Sequence, residues 1–149
     1  MGEHHPPVHS FTSLWEYECC GDPVEVGGTL TVDHRPWRAA AGGIDAFAGV
    51  LHLDWYVGHH TVAEEPDAGR TRVRVLGLWE AGRELDYHPY GGLHGRGEYR
   101  SVAGSARLTP IPRMATLRPE WEDGELDPRR RHTPRQPFGW VMRLQILDR

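Results

Sequence analysis

Four side chains able to bind a soft metal stand in two adjacent pairs, Cys19-Cys20 and His59-His60. A closed zinc site takes four such ligands in a tetrahedron. The two-residue gap that normally separates paired cysteine ligands is absent here. Neighbours on a strand point to opposite faces, so a set of Cys19, Cys20, His59 and His60 requires both dipeptides to leave strand geometry. The plainer alternative is a buried thiol at Cys19, an exposed one at Cys20 in the turn Cys20-Gly21-Asp22-Pro23, and histidines satisfied by hydrogen bonds. A thiol nucleophile would need a base that the spacing does not supply. A hydrolytic site around Asp54, His59 and His60 is a third reading, with no recognised motif behind it.

Arg70, Arg72 and Arg74 alternate with Thr71, Val73 and Val75, which puts three guanidinium groups on one face of a strand. Such a row can track a phosphate backbone or an acidic partner. Nearby aromatic residues fall on the opposite face by phase, so a stacking platform is not expected beside it. The plainer alternative is a solvated face paired with acids of adjacent strands. A second basic run, Arg129, Arg130, Arg131 and Arg135, follows Glu120, Glu122, Asp123, Glu125 and Asp127, which offset it. GGLHGRG lacks the lysine and the following helix of a phosphate-binding loop. No nucleophile elbow or HExxH motif occurs.

The chain has 149 residues, enough for one domain with a real core. Eighteen glycines and twelve prolines suit short strands joined by turns rather than a helical bundle. All seventeen basic residues are arginine, and the net charge is −4, which excludes a global attraction to nucleic acid or anionic membrane. There is no apolar run of membrane length and no signal-peptide pattern, and two cysteines make no disulfide framework. The expectation is a cytoplasmic protein with no membrane partner.

Period-2 alternation then places the elements. Phe11, Trp15, Tyr17 and Cys19 share one face against Thr12, Glu16 and Glu18. Val24, Val26, Leu30 and Val32 form the next inward set, followed by Leu51, Leu53, Trp55 and Val57. Thr71, Val73, Val75 and Trp79 oppose the arginines, and Trp140, Met142, Leu144 and Ile146 line the last strand. Residues 101–111 read as a strand interrupted at Gly104. Residues 1–10 read as a flexible arm, and residues 119–136, dense in charge and proline, as a mobile loop. The predicted fold is all-β, a single small barrel over residues 11–149, SH3-like or OB-like, with long loops. Its predicted core includes Trp15, Val26, Leu53, Trp55, Val75 and Leu144.

The run ECCGDPVEVGG, with His59-His60 before Glu64-Glu65 and the segment from Tyr99 to Ser105, resembles a family of small uncharacterised proteins of high-GC bacteria. The likeness spans residues 14–110, with departures at Val24, where an aromatic is expected, and Gly28, where an acid is expected. It implies a compact bacterial domain of unknown function and transfers no catalytic residue. The functional expectation is a non-enzymatic interaction module binding a protein or an oligonucleotide through one sheet face or its loops. It uses no cofactor in this reading. The alternative is a small zinc protein.

Overall fold

The computed structural model describes residues 5–13, 24–39, 45–58, 62–91, 97–114 and 132–148. Seven strands form one sheet: β1 Val8–Ser13, β2 Thr29–Pro36, β3 Trp55–Val57, β4 Gly69–Pro89, β5 Gly97–Ser101, β6 Arg107–Pro110 and β7 His132–Asp148. One 3-10 turn, Val62–Glu64, precedes β4. The strand order is β2-β3-β1-β7-β4-β5, and β2 also pairs with β4. That extra pairing closes β2, β3, β1, β7 and β4 into a ring of hydrogen-bonded strands. Every step around the ring is antiparallel except β1 to β3.

The long β4 makes closure possible. Its first part pairs with β2 from Arg74 to Gly69, and further on the same edge takes β6 at Trp79–Gly82 and β5 at Leu85–Pro89. Its other edge follows β7 from Arg72 to Asp86. The interrupted strand expected over 101–111 is thus two strands, β5 and β6, laid along one edge of β4.

Two apolar clusters hold the ring. One gathers Val32, Val57, Val73, Val75, Leu78, Trp140, Met142 and Leu144, with Val8, Trp55 and Met114, so all five ring strands contribute and it fills the inside. The other contains Phe11, Phe47, Leu53, Ala81, Ala106 and Val141, with Trp37, Leu51, Trp79 and Phe138 packed on it. Val141 lies between Trp140 and Met142, so alternation puts this cluster on the outer face. Residues 37–39 and 45–54 cover it, anchored by Phe11 edge-on to Trp37 and Phe47 at 5.7 and 5.3 Å. Backbone bonds from Gly104 to Asp45 (3.1 Å) and Ala106 to Ala46 (2.9 Å) hold the cover in place.

Val75, Trp55 and Leu144 are buried or half-buried on the inside as alternation requires, and Leu53 is buried, but on the outer face. Val26 is not: it is 45% exposed, because the chain turns at Val26-Gly27 and the period ends there. Thr12, expected outside, is buried, since β1 is paired on both edges and covered on both faces. Leu53 and Trp55 belong to different clusters, because Leu53 lies in the covering segment and β3 begins only at Trp55. Trp79 lies on the outer face rather than with Val73 and Val75. A bulge between Val75 and Gly77 reverses the phase of β4, which is why Leu78 points inward. Trp15 and Tyr17 lie outside the described residues. β1 begins at Val8, within the segment read as an arm, and β7 begins at His132, within the segment read as a loop.

Candidate functional site

The arginine row lies on β4 where alternation places it. Arg70, Arg72 and Arg74 are exposed, while Thr71, Val73 and Val75 between them are buried. Alternate residues of a strand stand about 6.7 Å apart, so the three Cα atoms span two such steps. Across the sheet on one side, Thr29, Thr31 and Asp33 stand opposite Arg74, Arg72 and Arg70. On the other side Gln145 is opposite Arg74 and Asp148 opposite Arg72. Two of the three cross-strand partners on β2 are threonines, which cannot offset a positive charge. Asp33 approaches Arg70 at 4.0 Å, with the arginine side chain 75% exposed. Exposed pairs at that distance contribute little. Exposed Arg143 of β7 extends the same face toward β1, beside His9. Burial first, and then the Arg143 charge, lower the pKa of His9 from its ordinary value.

Four arginines outside this face are arranged differently, while exposed Arg107 and Arg113 have no ion pair among the described residues either. Arg35 lies 3.3 Å from Glu65 and stacks 4.4 Å over the Tyr56 ring. Arg38 pairs with both Glu65 and Asp67. Arg100 bonds Glu98 at 2.6 Å, an acid whose pKa this arginine lowers. Arg83 is half-buried against Phe138 and donates to the Ser101 hydroxyl at 2.7 Å, its pKa lowered by desolvation. Among the described side chains, which do not include that of Asp148, no acid lies within ion-pair distance of Arg72, Arg74 or Arg143.

At the Arg70 end of the row is a cleft of about 330 Å³ lined by His34, Trp55, Gly69, Arg70 and Thr71. The His34 ring stacks on Trp55 at 3.7 Å and 6°, and shares a 2.8 Å hydrogen bond with the Thr71 hydroxyl. The pairing of Pro36 with Trp55 and of His34 with Val57 makes the two rings diagonal neighbours across β2 and β3. A larger cleft, about 550 Å³, lies in the covering segment between Trp37 and residues 45–53. It presents no arginine, and its Asp45 carboxylate accepts a bond from the Phe47 amide at 2.8 Å.

Cys19, Cys20, His59 and His60 all lie outside the described residues, and among the described residues no group of three or more His, Cys, Asp or Glu could hold a metal ion. Asp54 is described. One of its carboxylate oxygens accepts the His9 amide at 3.0 Å, and the other lies 3.5 Å from exposed His52. With the Asp54 amide donating to His9 and the Trp37 amide to Asp54, this residue pins β1 to the start of β3. Among the described residues no helix is long and apolar enough to cross a membrane.

The fold and this face define an all-β chain with a closed strand ring, a self-covered apolar side and an open cationic side. Comparison with protein-family models, curated proteins and solved structures gives no match.

Proposed function

We propose that the chain is a non-enzymatic interaction module, an OB-like barrel that binds single-stranded nucleic acid through the face bearing Arg70, Arg72, Arg74 and Arg143. The observation that carries this reading is the open row itself: three exposed guanidinium groups stand on one strand face, and among the described side chains only that of Arg70 has an acid within ion-pair distance, at 4.0 Å. Arginines at alternate strand positions are spaced comparably to successive phosphates of an extended strand, and Thr29, Thr31 and Gln145 supply neutral hydrogen-bonding groups along the same track. The ring lends support too. One parallel step within a closed five-stranded ring is compatible with an OB barrel, and OB barrels commonly hold oligonucleotides on a sheet face.

The test is fluorescence anisotropy of a labelled oligothymidylate as salt is raised. Three or four phosphate contacts give a slope of about −2 to −3 in log affinity against log salt. Arg72→Ala with Arg74→Ala lowers affinity about tenfold or more and flattens the slope by about 1 to 1.5. Binding that ignores both salt and these substitutions, or no binding at low salt, overturns the reading.

A further inference from the structure

The segment that covers the outer apolar cluster holds a cleft of its own, about 550 Å³, between Trp37 and residues 45–53. We propose that this cleft binds a small organic cation, an ammonium group on an apolar body, with Asp45 as its counter-charge and Trp37, Val50 and Leu51 as its apolar contacts. The cleft shares no residue with the arginine face, and the proposal does not rest on the nucleic-acid reading.

The charge of the cleft is one-sided. Asp45 is an acid on its lining, and no arginine joins it there. One carboxylate oxygen accepts the Phe47 amide at 2.8 Å, which fixes the group and leaves its other oxygen for a ligand. Among the described residues no arginine lies within ion-pair distance of Asp45, and Arg38, next in the chain to Trp37, is already paired with Glu65 and Asp67. His52, also on the lining, is turned toward Asp54 at 3.5 Å. A fixed carboxylate of this kind favours a cationic donor, because charge-assisted hydrogen bonds are about twice as strong as neutral ones.

Apolar surface lies around that charge. Val50 is 42% exposed, one of few large apolar side chains left open among the described residues, and half-buried Leu51 and Trp37 share the lining with it. Indole is also the ring that attracts a cation best. Both walls are set before a ligand arrives. Trp37 meets Phe11 and Phe47 in edge contacts, each at 5.7 Å, and its amide donates to the Asp54 carbonyl at 2.9 Å. The opposite wall is a turn in which the Val50 and Leu51 amides donate to the Phe47 carbonyl at 2.9 and 3.1 Å. The ordering cost is therefore met on folding rather than on binding. The volume falls within the range of about 300–1,000 Å³ seen for small-molecule pockets.

The experiment follows amide chemical shifts of the isotope-labelled chain at low salt while three compounds of one shape are added in turn: phenethylammonium, phenethyl alcohol and phenylacetate. Phenethylammonium shifts the amides from Phe47 to Leu53 saturably and binds about tenfold or more tightly than the alcohol, and phenylacetate binds more weakly still. Asp45→Asn keeps an oxygen for the Phe47 amide but removes the charge, so the cation then binds only as well as the alcohol. Trp37→Leu weakens the cation about threefold or more. Should the Trp37 variant fail to fold by circular dichroism, Asp45→Asn and the three compounds on the unaltered chain still decide. Equal affinity for all three compounds, an Asp45→Asn chain that binds the cation unchanged, or no saturable shift from Phe47 to Leu53 overturns the proposal.

Discussion

Strands β4 and β7 run side by side through the molecule, yet they present two different outer surfaces along their length. On the N-terminal side of the β4 bulge, the outward positions are Arg70, Arg72, Arg74 and Leu76, with Arg143 and Gln145 across from them. Beyond it they are Trp79 and Ala81, with Val141 and Phe138 alongside, and residues 37–39 and 45–54 lie over them. The inside shows no such division: Val73, Val75, Leu78, Met142 and Leu144 form one continuous cluster. One additional residue in β4 therefore separates a surface the chain covers for itself from a surface it leaves open. The apolar half is already buried by an internal segment, so the open half is where a partner can gain contacts without first displacing protein.

That division can be broken from either side. The largest effect is expected from Phe47→Ala. This side chain is 1% exposed and touches Phe11, Trp37 and Phe138, so its loss should cost about 3–5 kcal/mol and lower the urea midpoint accordingly. Gly77→Ala attacks the bulge itself. The new methyl would fall 2.6 Å from the Trp79 ring, which lies back over Gly77, and about 1–3 kcal/mol should be lost as the ring moves. On the open half, Arg72→Ala should change stability by no more than about 0.5 kcal/mol, since the side chain is exposed. A larger loss there would show that the row is structural. The smallest effect concerns pH. Burial and the neighbouring Arg143 disfavour protonated His9 in the folded chain, so the unfolded chain takes up this proton first as pH falls through about 6.5. The stabilisation is complete above that pH and is lost below it. His9→Asn should reduce the acid-side slope of urea midpoint against pH, and an unchanged slope would exclude His9 as a source.

Alternation was sufficient wherever a strand ran straight with one face covered. It placed Val73 and Val75 inside, Arg70, Arg72 and Arg74 outside, and Trp140 to Ile146 in phase. It failed where backbone geometry changes without a mark in the residue types. Nothing in VRVLGLW separates Val75 from Trp79 except Gly77, and the turn at Val26-Gly27 likewise ends a period that the letters continue. The outer segment of β4, ELDYHP, is too polar to read as a strand, because its pairing partners are β5 and the start of β7 rather than the core. The arginine row was legible because it is local. The stacked rings of His34 and Trp55 were not, since twenty-one positions separate the two residues and only the β2–β3 register brings the rings together.

Strand β7 lies between β1 and β4, following β4 along most of its length and β1 from Gly139 to Leu144. During synthesis, the other six strands leave the ribosome before it does. Until it arrives, β1 has only a two-residue parallel register with β3, and β4 offers an unpaired edge from Arg72 to Asp86. The nascent chain consequently cannot seal itself in stages. It carries an exposed strand edge that another chain could pair with, and it reaches a protected state only when its seventh strand is inserted between two that are already made. Closure by a late central strand makes the ring depend on long-range pairing, in which β7 must find both β1 and β4 before either edge is protected.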